Sequence, residues 1–82
     1  MKTIRWHKKA TKQLKRIKNA KIENRIYDAV QKLKFFPQCK NVKKLINRDD
    51  YRLRVGIYRV IFTADLRIIS IEEVKKRDER TY

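Results

Sequence analysis

The sequence predicts an α+β domain of order β-α-α-β-β-β, a small antiparallel sheet with two helices packed on one face. Three observations predict it. Apolar residues recur at helical spacing through the first half of the chain, then switch to period two from Tyr51 onward. The chain has 82 residues, enough for one core and too few for two. It contains one Gly and one Pro, which leaves no linker-like stretch, so residues 1–82 are read as a single domain.

The elements follow in order. Residues 2–6 alternate, with Ile4 and Trp6 on one face, as a short first strand. From His7 to Ile17, the residues Ala10, Leu14 and Ile17 form an apolar stripe among lysines, giving an amphipathic helix. Asn19 can cap a second helix whose buried stripe is Ile22, Ile26, Ala29, Val30 and Leu33, ended by Pro37. Residues 38–50 read as a loop pinned by Val42, Leu45 or Ile46. In the next strand Tyr51, Leu53 and Val55 face one way and Arg52 and Arg54 the other. Gly56-Ile57 makes a tight connection. Tyr58, Val60 and Phe62 then oppose Arg59, Ile61 and Thr63. Asp65 turns the chain into a last strand from Leu66 to Val74. On this pattern Ile61, Ile69 and Ile71 share the arginine-bearing face, which is therefore partly apolar and expected to be covered by a partner chain.

Charge narrows the function. Lys and Arg total 24 against 9 acids, a formal net charge of +15. Residues 1–48 carry twelve Lys and four Arg with two acids, whereas residues 49–82 carry two Lys and six Arg with seven acids. Lysine suits a diffuse, solvated positive surface, and arginine suits fixed contact with phosphate. Nucleic acid or another polyanion is the expected partner. No apolar run is long enough to span a membrane, and the start lacks the apolar segment of a signal peptide. The single Cys39 cannot form an internal disulfide, which fits a reducing, cytoplasmic setting.

Several chemistries lack their parts. His7 is the only histidine and Ser70 the only serine, so there is no histidine acid–base pair and no nucleophile elbow. His7 and Cys39 make no metal-ligand cluster, and no cofactor is expected. Glu72-Glu73 and Asp78-Glu79 could be general bases, although salt bridges to neighbouring cations are the plainer reading. What remains is a basic constellation of Arg52, Arg54, Arg59, Lys75, Lys76, Arg77 and Arg80, with Tyr58 and Tyr82. Strand alternation gathers the first three on one sheet face, and the tail leaves a strand of the same sheet. Clustered cations repel one another unless an anion joins them, which is what a phosphate site requires.

The stretch YRLRVGIYRVIF, from Tyr51 to Phe62, followed by EVKKRDERTY, from Glu73 to Tyr82, resembles the RelE/ParE superfamily of bacterial toxins. The resemblance covers most of residues 51–82, and the helical half agrees with it in size and order. It implies a toxin of a type II toxin–antitoxin system. RelE-like members cut mRNA in the ribosome, while ParE-like members share the fold and poison DNA gyrase. Arg52 and Arg54 match strand basics that are lysines in the best-known RelE-like members. Arg59 matches the Tyr-Arg arginine, Arg77 the late arginine, Tyr82 the tyrosine, and Arg48 a basic residue in the preceding loop. The late basic set with Tyr82 favours the RelE-like branch over the ParE-like alternative. A plain nucleic-acid-binding domain is disfavoured for want of a recognition helix or aromatic platform.

The expected function is therefore ribosome-dependent mRNA cleavage by attack of the RNA's own 2′-OH. Arg59 with Arg52 or Arg54 would clamp the phosphate, Arg77 would stabilise the leaving oxygen, and Tyr82 would orient a base or assist proton transfer. Guanidinium stays charged, so a base role passes from positions 52 and 54 to Lys75, Lys76 or Tyr82. Lys8, Lys12 and Lys15 on the first helix, with Lys75 and Lys76, would grip ribosomal RNA. The implied partners are the ribosome, mRNA and an acidic antitoxin that wraps the toxin and carries the complex to operator DNA.

Overall fold

The structure is a computed structural model and describes residues 1–46 and 48–76. The chain begins with β1 (Thr3–Trp6), followed by helices α1 (Lys8–Lys15) and α2 (Ala20–Gln31) and a 3₁₀ turn (Lys32–Phe35). Four strands complete it: β2 (Val42–Lys44), β3 (Tyr51–Val55), β4 (Tyr58–Ala64) and β5 (Ile68–Lys76). The sheet order is β1-β5-β4-β3-β2. The helices carry the chain from one sheet edge to the other, and the last four strands meander back until β5 pairs with β1.

Two expectations about the sheet change. β1 runs parallel to β5, with Ile4 opposite Ile69 and Trp6 opposite Ile71, so the sheet is mixed instead of wholly antiparallel. The cause is topological. The helical crossover delivers β2 antiparallel to β1, and three further reversals bring β5 back in the direction of β1. The segment 38–50 also contains β2, which pairs antiparallel with β3 through Val42 and Leu53. Three residues of strand are too few for a period-two signal, but the pin at Val42 holds against the core.

The helices form for the expected reasons. Ala10 is fully buried, with Leu14 and Ile17 packed beside it. The chain reverses through Lys18 at φ 53°, so α1 stops before Ile17. Asn19 caps α2, its side-chain oxygen accepting the Ile22 N–H at 3.2 Å. Ile26, Val30 and Leu33 are all fully buried on the sheet. Gly56 connects β3 to β4 at φ 59°, a left-handed conformation that glycine adopts without strain. Beyond the end of β1, α1 takes over the edge of β5, where the Gln13 Oε1 accepts the Val74 N–H at 2.7 Å.

A bulge in β5 overturns the partly apolar arginine face. Phe62 pairs with Ile71 but Ile61 pairs with Glu73, so one extra residue, Glu72, enters β5. Ile69, Ile71 and Val74 thereby all point to the core, which strict alternation would forbid. Ile69 and Ile71 are fully buried there with Phe62 and Val60. Of the three isoleucines assigned to the arginine face, only Ile61 lies on it.

Candidate functional site

The face opposite the helices is built from two rows of paired residues. Lys43, Arg52, Ile61 and Glu73 stand opposite one another across β2, β3, β4 and β5. Arg54, Arg59 and Lys75 form the next row across β3, β4 and β5. Directly opposed side chains in antiparallel strands have Cβ atoms about 4.5–5.5 Å apart, and like charges at that spacing are destabilising. Three cations in register therefore cost stability, and an anion between them removes the cost. Arg59 is half-buried, and its Nε is closed off from solvent with no hydrogen-bond partner among the described residues. An unpaired buried donor is expensive.

One carboxylate enters this field. Glu73 keeps 19% of its side chain exposed, and its Oε1 lies 3.2 Å from Lys9 Nζ and 3.5 Å from Lys75 Nζ. Lys9 reaches it from α1, around the sheet edge that the helix covers. Burial is the largest influence on the Glu73 carboxyl and pushes it up, but hydrogen bonds and charge from Lys9 and Lys75 hold it below the usual carboxylate range. Next along β5, Glu72 Oε2 lies 3.2 Å from His7 Nε2 and 3.5 Å from Thr63 Oγ1. His7 stands at the start of α1, half exposed.

The structure thus brings together Arg52, Arg54, Arg59 and Lys75. Lys76 pairs with Tyr58 and alternates to the other side of the sheet. Arg48 lies in the β2–β3 connection, with Nη2 2.7 Å from Asp50 Oδ2. Lys8, Lys12 and Lys15 lie on α1, off the buried stripe. Arg77 and Tyr82 lie outside the described residues. Sequence reasoning missed Lys43, because a loop hides alternation, and Lys9, because nothing in the chain marks a helix lysine that reaches a strand glutamate. It had named Glu73, but no residue type marks its pairing opposite Ile61 or its contact with Lys9.

The fold has close parallels among solved toxin–antitoxin structures. The archaeal RelE–RelB complex from Pyrococcus horikoshii matches with a TM-score of 0.81 and 27% identity over 95% of this chain and 97% of that one. RelBE2 from Mycobacterium tuberculosis matches at TM-score 0.80 and 21% identity, over 93% and 98% of the two chains. The YoeB–YefM complex from Staphylococcus aureus matches at 0.74 and 19%, over 95% and 99%. No curated protein matches the chain. These neighbours define the class as a RelE/ParE-type toxin fold. The family model for the ParE toxin of the type II toxin–antitoxin system parDE matches residues 4–81, and the chain belongs to that family.

Proposed function

We propose that this toxin is a ribosome-dependent mRNA endoribonuclease. The observation that carries the reading is the row Arg54–Arg59–Lys75, three cations in register around an Arg59 Nε that has no partner among the described residues. Such a row is built for an anion, and fixed donors gain most where charge develops on a phosphorus centre. The 2′-oxygen of one nucleotide attacks the adjacent phosphorus, the P–O5′ bond breaks, and the products carry a 2′,3′-cyclic phosphate and a 5′-OH. The nucleophile belongs to the RNA, so the step calls for positioning and charge. Arg59 with Arg52 or Arg54 holds the phosphate in this reading, while Arg77 steadies the leaving oxygen and Tyr82 orients a base. A ribosomal target implies a cytoplasmic protein. Reconstituted ribosomes carrying a defined mRNA test the chemistry. The expected fragments have cyclic-phosphate 3′ ends that resist ligation until opened, and fragments with free 3′-OH ends would contradict the mechanism.

A second reading, inhibition of DNA gyrase without nuclease activity, is favoured by one observation, the family match to ParE. The nuclease reading uses the lysines of α1 as an electrostatic grip on ribosomal RNA. Changing Lys8, Lys12 and Lys15 together to Gln should leave the fold intact. For each phosphate that these lysines no longer neutralise, the slope of log affinity for ribosomes against log salt should flatten by about 0.7–0.9. An unchanged slope would remove these lysines from the interface.

The neighbours at TM-scores of 0.80 and 0.81 are complexes with antitoxins, which supports an antitoxin partner here, and the net charge of +15 calls for an acidic one. With Ile69 and Ile71 in the core, the arginine face gives such a partner charge and little apolar surface. A further surface is a groove of 750 Å³ beside α2 and β3, lined by Ala29, Phe35 and Val55 together with Arg25, Asp28 and Lys32. Co-expressed with the product of a neighbouring acidic reading frame, the toxin should elute as a complex at micromolar concentration. Separate elution would contradict the partnership.

A further inference from the structure

The cleavage step needs a proton acceptor for the 2′-OH, and Arg52 and Arg54 cannot serve. Resting on the nuclease reading, we propose that Glu73 is that acceptor, acting through Oε2. Both lysines that touch Glu73 lie against Oε1, so the carboxylate is anchored through that oxygen. That is the arrangement a positioned base needs. The carboxylate stands on the arginine face, directly opposite Ile61 and diagonal to Arg59, where diagonal neighbours lie about 7–8 Å apart. A phosphate held by Arg59 would fit between them, with its 2′-hydroxyl toward β5.

The step balances on this side chain. Glu73 Oε2 takes the 2′-OH proton as the 2′-oxygen bonds to phosphorus. The P–O5′ bond breaks with its electron pair on the 5′-oxygen, which is protonated by water. Glu73 then returns its proton to solvent. The groups facing it are Lys9 from α1, Lys75 on its own strand, Arg59 and Arg52 across the sheet, and the Glu72–His7 pair one position along β5. With Lys9 and Lys75 beside it, Glu73 is charged throughout the neutral range and ready to accept. An incoming phosphate gives both lysines a second anion to contact. As they turn to it, the burial that already weighs most on the carboxylate is no longer offset, and its basicity rises when the hydroxyl is in place. A lysine base, by contrast, must first lose a proton held with a pKa of about 10.4.

Single-turnover cleavage of ribosome-bound mRNA between pH 6 and 8.5 tests the assignment on wild type, Glu73→Gln and Glu73→Asp. Wild type should cleave at a rate nearly independent of pH. Glu73→Gln should co-sediment with ribosomes as wild type does and lose about 10²–10⁴ in rate, the usual worth of general base catalysis. Its residual rate should climb with pH as hydroxide substitutes for the base. Glu73→Asp keeps the charge but withdraws it by one methylene, and should be slower than wild type with the flat profile retained. A Glu73→Gln rate within threefold of wild type, or a wild-type rate rising about tenfold per pH unit, would overturn the assignment and leave the nuclease reading standing. A wild-type protein that leaves ribosome-bound mRNA uncut would overturn both. If Glu73→Gln does not fold, the Glu73→Asp rate and the wild-type profile decide the matter.

Discussion

Arg59→Ala should lower cleavage of ribosome-bound mRNA by about 10²–10³ while ribosome binding changes far less. Removing one fixed donor to transition-state charge typically costs on the order of 3–4 kcal/mol, whereas affinity for the ribosome is spread over many lysines. The same substitution should not lower the melting temperature. Arg59 stands opposite Arg54 on one side and Lys75 on the other, and its Nε is buried without a partner among the described residues. Its loss relieves repulsion and removes an unsatisfied donor, so activity and stability should move apart. Single-turnover cleavage, co-sedimentation and thermal melting of one preparation check all three statements. A parallel loss of melting temperature and activity would make Arg59 a structural residue.

Phe62→Ala should come close to unfolding the protein. Phe62 is fully buried at the centre of the sheet. Phe36 meets it edge-on with ring centroids 5.7 Å apart, and Tyr51 stacks at 5.5 Å. Truncating a buried Phe costs about 3–5 kcal/mol. A domain of this size has a total stability of roughly 4–12 kcal/mol. Since 1 kcal/mol moves the midpoint of a small domain by about 4–8 °C, the melting temperature should fall by about 12 °C or more. A fall of less than about 5 °C would mean that this aromatic cluster is not the centre of the core.

Much of this was legible in the chain because each element announced itself by a period. Ala10, Leu14 and Ile17 mark α1 at helical spacing, Asn19 caps α2 as its side chain suggests, and Tyr51 to Val55 alternate as a half-buried strand must. The face carrying Arg52, Arg54 and Arg59 followed directly from that alternation. What stayed hidden depended on relations between distant segments. The parallel pairing of β1 with β5 is set by where the chain returns. A bulge at Glu72 turned Ile69 and Ile71 inward, and period-two counting has no means of sensing one extra residue. The clamp of Lys9 on Glu73 joins residues 64 positions apart, and it exists only because α1 covers the edge that β1 leaves bare.

The separation of nuclease from gyrase inhibitor rests on what the row Arg54–Arg59–Lys75 holds. The most direct measurement supplies the purified toxin, in parallel, with ribosomes programmed by a defined mRNA and with gyrase acting on relaxed plasmid. The proposed function predicts mRNA fragments ending in 2′,3′-cyclic phosphate, lost in Arg59→Ala, with supercoiling undisturbed. Intact mRNA together with blocked supercoiling would contradict it and assign the protein to the gyrase-poisoning branch.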